Sequence, residues 1–252
     1  MLRPAKNIFH SIFLEINIFS AGNSFKDLNV QISRVSALAC GLPYEKNAVF
    51  LLVCAVMAWV IVGLGNPGEE YKGTRHNAGR MAVSLYAEKA GMNGLKEDKA
   101  KKSTATGGLI GKTAAALVLP DTFMNKSGSA VSKYVKSAKA AERLIVVYDD
   151  LDLPVGTMKV SYDRSSGGHR GLDSIIRDVK TRKFTRIRIG VAPATATGTI
   201  KKPQGDKAVN DYILGTFRPS EMETLKPILK KAAQAIEAIV LEGREKAMNQ
   251  FN

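Results

Sequence analysis

The sequence predicts an α/β fold, in which one three-layer domain has a mixed β-sheet with helices on both faces. Short runs of β-branched and aliphatic residues, such as residues 59–62 and 143–148, have the composition of buried strands. Segments with apolar residues at helical spacing, such as residues 78–90 and 219–241, alternate with them. With 252 residues and 45% hydrophobic content, the chain can bury one substantial core.

The strands are expected in runs bounded by glycine, proline or polar residues. They fall at residues 59–62, 104–110, 113–119, 143–148, 157–162 and 185–191. Gly111 and Lys112 separate the second run from the third and indicate a hairpin. In the last run Arg186 and Arg188 alternate with isoleucines, which predicts a strand with one face in solvent.

The helices are expected between these strands. They fall at residues 78–90, after Gly128 as far as Ala141, and at residues 172–181, 207–214 and 219–241. Thr74 is the expected cap of the first helix and Gly91 its end. Residues 96–102, which are basic and polar, predict a solvated loop, and residues 192–207 predict another.

Residues 1–56 differ from the rest of the chain, because they show no sustained periodicity and no functional motif. We expect a poorly ordered extension from an over-extended reading frame, followed by the folded domain at residues 57–252. A targeting segment is the second alternative, and three acidic residues disfavour it. The charge-free residues 48–65 raise the possibility of a membrane span, but they overlap the first strand, so no membrane association is expected.

Composition limits the chemistry of the domain. Both cysteines, Cys40 and Cys54, precede Met57, which excludes a disulfide framework or cysteine-ligated zinc from the domain and suits a cytoplasmic protein. The three histidines show no metal-ligand spacing, so neither a metal nor another cofactor is expected.

The charge of the domain indicates a polyanionic partner. The chain carries a net charge of +14, of which residues 1–56, with five Lys/Arg against three Asp/Glu, supply +2. The remaining +12 lies on residues 57–252 and favours nucleic acid over a membrane.

The sequence contains one candidate acid–base pair, a histidine at a helix start and an aspartate at a strand end. His76 lies in a polar stretch at the start of a helix, and its side chain titrates near neutral pH, so it suits a general base. Asp149 is the expected carboxylate that orients the imidazole, with Asp152 as the second choice. No GxSxG motif and no cysteine of the domain supplies a nucleophile, so the base is expected to activate water directly.

Polar residues beside this pair add to the site. Asn66 and Asn125 follow two strands, and a neutral amide suits recognition of an ester or peptide carbonyl. His169 follows Gly167 and Gly168, in a loop that either meets an anion with its backbone N–H groups or packs on the sheet. Gly63, Gly65 and Gly68 match the spacing of a dinucleotide fingerprint, but no helix follows them directly.

Four separated motifs carry a resemblance to a known family. They are GLGNPGEEYKGTRHNAG from residue 63, PDTFMNKSG from residue 120, DDLDLPVG from residue 149 and GGHRGLDSI from residue 167. In this order and at these separations they closely resemble bacterial-type peptidyl-tRNA hydrolase, over residues 57–252. Met57 falls where the initiator of the family would.

The resemblance implies roles for individual residues. His76 resembles the general base and Asp149 its partner, while Asn66 and Asn125 resemble the residues that hold the 3′ end and the first peptide unit. The other positions that match the site or the contacts to tRNA are Tyr71, Phe123, Met124, Lys159 and Arg188. Arg170 departs from the family pattern, because the family has an asparagine there that helps to place peptide and water.

The predicted function is therefore hydrolysis of the ester between a peptide, or an N-blocked amino acid, and the 3′ ribose of tRNA. The implied enzyme is a cytoplasmic monomer without metal or cofactor, and its partner is peptidyl-tRNA. One alternative is a non-catalytic RNA-binding protein on the same fold, in which Arg170 binds phosphate. A third hypothesis is a dinucleotide-dependent oxidoreductase.

Overall fold

Seven strands form a single mixed sheet in the computed structural model, which describes residues 58–92, 94–195 and 199–252. They are β1 (Trp59–Gly63), β2 (Lys96–Asp98), β3 (Ser103–Ile110), β4 (Thr113–Pro120), β5 (Leu144–Pro154), β6 (Met158–Tyr162) and β7 (Thr185–Ala192). Their order across the sheet is β2-β3-β4-β1-β5-β7-β6. The central strands β4, β1, β5 and β7 run parallel, and the outer pairs are antiparallel.

Six α-helices of the described residues accompany the sheet. They are α1 (Ala78–Lys89), α2 (Ser127–Val131), α3 (Arg170–Val179), α4 (Asp206–Leu214), α5 (Pro219–Glu242) and α6 (Arg244–Phe251). On one face α1, α5 and α6 form a core with alternate strand residues, among them Ile61, Ile145 and Ile187. The intervening residues, such as Val62 and Val146, are equally buried on the other face, where α2 and α3 lie. The predicted three-layer α/β fold is confirmed.

Close packing of α1 brings its first turn to the carboxyl ends of β1 and β5. A Cβ atom on Gly79 would lie 2.1 Å from the carbonyl oxygen of Val147, and one on Gly63 would lie 2.7 Å from that of Gly79. Any side chain at either position would push the helix away from the sheet. The short 3₁₀ turn Arg75–Asn77, directly before α1, is thereby held beside β5.

Several predicted elements were wrong in detail. The helix expected as far as Ala141 ends at Val131 in α2, and Ser137 accepts a hydrogen bond from the N–H of Ala140 instead, in keeping with the tendency of serine to compete with helix bonding. Residues 96–98 of the expected loop pair with β3 as a short edge strand. Thr74 donates its hydroxyl hydrogen bond back to the carbonyl of Tyr71 and does not cap α1.

The prediction of a solvent-facing side on β7 was also wrong. Every residue of this strand is buried, and Arg186 is 0% exposed. Polar partners inside the protein make this possible, because Arg186 donates to the carbonyl oxygens of Arg164 and Ser165, and Arg188 pairs with Asp150. Strand β5 continues to Pro154 with an irregular register after Asp150, so its three aspartates lie on a strand and not in a loop.

The two outer strands of the sheet have different surroundings. β2 is only three residues long and consists of Lys96, Glu97 and Asp98. Along β6 the side chain of Asn252 accepts a hydrogen bond from the N–H of Val160 at 2.7 Å and donates one to its carbonyl at 3.0 Å.

The predictions for residues 1–56, an over-extended start or a targeting segment, lie outside the described residues. Within the part of the chain that the structure describes, no helix combines the length and apolarity needed to cross a membrane.

Candidate active site

A cleft of about 620 Å³ opens beyond the carboxyl ends of β1 and β4 and beside Asp149 of β5. Ligands bind at this edge in open α/β sheets. Asn66 follows β1, the segment from Phe123 to Asn125 follows β4, and Asp149 belongs to β5. The loop of residues 164–170 and one side of α4 complete the walls.

His76 and Asp149 are in direct contact in this cleft. The Nδ1 atom of His76 lies 3.0 and 2.9 Å from the two carboxylate oxygens of Asp149. An ionised carboxylate only accepts hydrogen bonds, so Nδ1 carries the proton and donates it. The Nε2 atom is then the unprotonated nitrogen, which is the state that a general base requires.

A second histidine holds the same carboxylate. His169 lies at the N-cap of α3, where its Nδ1 accepts hydrogen bonds from the N–H groups of Gly171 and Leu172 at 3.2 and 3.3 Å. Its Nε2 therefore carries the proton and donates to Asp149 at 3.0 Å. Two of the N–H groups at the start of α3 are consequently occupied within the chain and do not face an anion.

Asp149 is ionised by its surroundings. Burial by itself would raise the pKa of this carboxyl group, but His76 and His169 outweigh burial and hold the pKa well below its usual range. Next to it, burial raises the pKa of Tyr148 to about 12, so its phenol is neutral where its ring packs edge-on against His169. The site thus presents a permanent acceptor to two imidazole donors.

Asn66 is fixed by bonds from both directions. Its backbone N–H donates to Oδ1 of Asn77 at 2.8 Å, and Nδ2 of Asn77 donates to the backbone carbonyl of Asn66 at 2.9 Å. The side-chain oxygen of Asn66 accepts the N–H of Met124 at 2.8 Å. Its Nδ2 group is therefore the part of the amide that is left to donate into the cleft.

The segment after β4 supplies three of the predicted residues. Met124 is buried against the site, whereas Phe123 is 59% exposed at its rim, and Asn125 is also exposed and lines the cleft. A Cβ atom on Gly171 would lie 2.5 Å from Sδ of Met124, so this glycine allows α3 to approach the segment.

Arg170 lines the cleft from the first turn of α3 and is exposed. It forms no hydrogen bond or ion pair with any residue that the structure describes. Gly167 and Gly168, with φ angles of 62° and 80°, make the turn that brings it there.

The remaining predicted residues either do not line the cleft or pair with other side chains. Tyr71 and Lys159 do not line the cleft: Tyr71 is half-buried in the 3₁₀ turn Glu69–Tyr71, and Lys159 is exposed on β6. Arg188 does line it, but its Nε donates to Asp150 at 2.7 Å, and burial leaves little of it exposed. Asp152, the second choice as partner of His76, contacts Lys202 instead.

Three side chains lie close enough to hold a metal ion, namely His76, Asp149 and His169, whose ligand atoms are within 4.8 Å of one another. Each of these atoms is engaged in the hydrogen bonds described above, and an ion would have to replace both histidine protons. The donor set therefore fits the hydrogen-bonded triad without further groups.

Two positioning residues were missed by sequence reasoning. Asn77, which fixes Asn66, had no role of its own in the sequence-based prediction and belonged only to the polar stretch around His76. His169 was assigned to an anion-binding or packing loop, and only the fold shows that it faces Asp149.

Known proteins resemble this chain in sequence and in fold. A family model described as peptidyl-tRNA hydrolase matches residues 60–252. The chain belongs to the peptidyl-tRNA hydrolase family. A peptidyl-tRNA hydrolase of Carboxydothermus hydrogenoformans is 43% identical over 195 residues, which cover 77% of this chain and 98% of the relative. That of Chloroflexus aggregans is 40% identical over 196 residues, with the same coverage of both chains.

Solved structures of the family share the fold. The peptidyl-tRNA hydrolase of Acinetobacter baumannii superposes with a TM-score of 0.69 at 32% identity, over 78% of this chain and 95% of the other. The resemblance stated from the four motifs is confirmed.

Proposed function

We propose that this protein acts on peptidyl-tRNA and hydrolyses the ester that joins the peptide, or an N-blocked amino acid, to the 3′ ribose, which frees the tRNA for reuse. Membership of the family supports the reaction class. One observation supports the assignment of the residues: a buried, ionised Asp149 fixes the proton of His76 on Nδ1 and leaves Nε2 for a water molecule in the cleft.

The proposed reaction uses a single base. Nε2 of His76 takes a proton from water as the water oxygen attacks the ester carbonyl carbon. The carbonyl oxygen becomes an oxyanion, and the Nδ2 group of Asn66 is a donor for it. When the carbon–oxygen bond to the ribose breaks, the His76 imidazolium returns its proton to the 3′ oxygen. The products are the free acid and the 3′ hydroxyl of tRNA.

The imidazolium that forms between these steps needs a counter-charge, and Asp149 supplies it without movement. Because the carboxylate already accepts from both histidines, no reorganisation accompanies the transfer. His169 keeps Asp149 in this orientation.

The substrate residues are proposed on the same basis. Asn125 lies beside Asn66 in the cleft lining and suits a peptide carbonyl, and the exposed ring of Phe123 offers a face for the terminal base or a side chain. Arg170 is a cation at the cleft whose side chain has no partner among the described residues, which suits a phosphate of the acceptor end. Tyr71, Lys159 and Arg188 stay predictions as tRNA contacts.

The non-catalytic alternative gains no support from the described residues, because the His76–Asp149 contact is complete despite Arg170. The 3₁₀ turn after Gly68 likewise gives the dinucleotide hypothesis no helix on which to bind a pyrophosphate. The monomeric state, the cytoplasmic location and independence from metal stay predictions.

The test is the release of N-blocked amino acid from tRNA by the wild type and by His76→Ala. We expect kcat to fall by about 10²–10⁴-fold in the variant, because proton transfer is lost. Salt-sensitive tRNA binding should persist, since His76 contributes nothing to the basic surface. Unchanged turnover in His76→Ala would remove this residue from the mechanism.

A further inference from the structure

Arg75 stands directly before His76, and its side chain is almost fully buried on α4 and α5. Its Nη2 lies 2.7 Å from a carboxylate oxygen of Glu221, in the first turn of α5. Its Nη1 donates to the carbonyl of Tyr212 at 3.3 Å, and the guanidinium carbon lies 4.3 Å from the centre of the Tyr212 ring. One 3₁₀ turn therefore holds β5 through His76 and two helices through Arg75.

Backbone bonds reinforce the same junction. The N–H of Arg75 donates to the carbonyl of Gly215, and the N–H of Phe217 donates to the carbonyl of Gly73, both at 3.0 Å. An isolated bridge between Thr74 and Thr216 completes a short antiparallel ribbon. The segment before His76 is thus joined through its backbone to the link between α4 and α5.

This junction carries a wall of the cleft. Val209, Asn210, Ile213 and Leu214 of α4 line the cleft together with His76. Glu221, the ion-pair partner of Arg75, also accepts a hydrogen bond from the N–H of Arg218 at 2.7 Å in the capping box of α5. A residue held so firmly at a helix start is a rigid anchor for the guanidinium.

The burial of Arg75 is not explained by stability alone. Its side chain is 7% exposed, and its Nε–H has no acceptor in the part of the chain that the structure describes. Ion pairs removed from water contribute little net stability, and an unmatched buried donor is unfavourable. Such local compromises are expected where function sets the geometry.

We infer that Arg75 is a positioning residue that fixes the general base relative to the α4 wall of the cleft, with Glu221 as its anchor. The inference rests on the proposed function of His76. Arg75 does not line the cleft, so it acts on the substrate only through His76 and α4.

The test compares Arg75→Lys with the wild type in N-blocked aminoacyl-tRNA hydrolysis. Lysine keeps the charge but cannot bond Glu221 and Tyr212 together. We expect kcat to fall by about 10–100-fold, since a displacement near 1 Å at the reacting group has effects of this size. KM should change by less than about threefold, because phosphate contacts dominate tRNA affinity.

Arg80→Lys is the matched control. Arg80 does not line the cleft and likewise bonds one carboxylate and one carbonyl, those of Asp121 and Pro120, both at 2.8 Å. We expect a similar loss of thermal midpoint in both variants and a kcat within about twofold of the wild type for Arg80→Lys. Equal losses of kcat in the two variants would overturn the inference.

Glu221→Gln tests the anchor if Arg75→Lys fails to fold. Glutamine keeps an acceptor oxygen but removes the charge, so kcat should fall while the fold is retained. The double variant should be no slower than Arg75→Lys, because both changes break one contact. If the losses of kcat multiply in the double variant, Arg75 and Glu221 act independently, and the inference is refuted.

A readout without turnover separates this inference from the proposed function. The Nδ1 proton of His76 should give a low-field NMR signal in the wild type and in Arg80→Lys, and Arg75→Lys should weaken or shift it. An inactive wild type with this NMR pattern would refute the proposed function alone. An unchanged signal in Arg75→Lys would refute the positioning role.

Discussion

Asp149→Asn tests the arrangement of the site most directly, because His169 decides which way the new amide points. One oxygen of Asp149 lies 3.0 Å from both histidines and accepts from His169, and the other contacts His76 alone among the described residues. The proton of His169 cannot move, since its Nδ1 already accepts two backbone N–H groups. The amide oxygen should therefore face His169, and the NH₂ group should face His76. Nδ1 of His76 must then accept, which leaves the proton on Nε2 and removes the base.

The size of the effect follows from the charge that is lost. In the transition state the His76 imidazolium and a carboxylate roughly 4 Å apart attract each other by about 4 kcal/mol at an effective dielectric constant of about 20. At about 1.4 kcal/mol per tenfold change in rate, this loss corresponds to about 10³-fold in kcat. The unfavourable tautomer adds to it, so we expect a fall of about 10³–10⁴-fold.

The assay is single-turnover hydrolysis of N-blocked aminoacyl-tRNA, with Asp150→Asn as the control. Asp150 is the adjacent carboxylate, but it pairs with Arg188 and not with a histidine. Removing His169 should free the amide to turn, so Asp149→Asn with His169→Ala should be faster than the product of the two single effects. A kcat within about tenfold of the wild type in Asp149→Asn, or purely multiplicative losses in the double variant, would refute the reasoning.

Two further predictions concern charge. Arg170→Asn should raise KM and reduce the dependence of binding on salt by about one phosphate contact; an unchanged salt slope in a filter-binding titration would contradict a phosphate role. The pKa of Asp149 is lowered in the folded state, so its stabilisation is complete above the unfolded value of about 3.9 and is lost as pH falls below it. In urea titrations between about pH 5 and 3, the free energy of unfolding should decline more steeply for wild type than for Asp149→Asn.

The sequence predicted most of the sheet because its central strands are buried on both faces. Runs such as residues 59–62 and 144–147 are apolar throughout, and only a strand between two layers accommodates this. Prediction from the sequence failed where contacts with distant residues allow a polar side chain to be buried. Arg186 alternates with isoleucine like a solvent-facing residue, yet its two Nη groups donate to carbonyls of the loop before α3 inside the protein.

The sequence predicted most of the residues of the site but not all of the contacts between them. His76 stands at the start of a helix, Asp149 and the two asparagines lie at or after expected strand ends, and motif spacing associates all four. The role of His169 could not be predicted, since its contact with Asp149 joins residues 20 positions apart across a strand and a loop. The role of Arg75 was still harder to predict from the sequence, because its partner Glu221 is 146 residues away.

The side-chain amide of Asn252 has a consequence for self-association. It occupies the backbone donor and acceptor of Val160, the groups through which a foreign strand would dock on β6. At the opposite border, β2 offers three charged residues, too short and too polar a template for β-augmentation. Both outer strands of the described sheet are thus poor templates for the addition of a foreign strand, which is an advantage for a protein whose interior strands are so apolar.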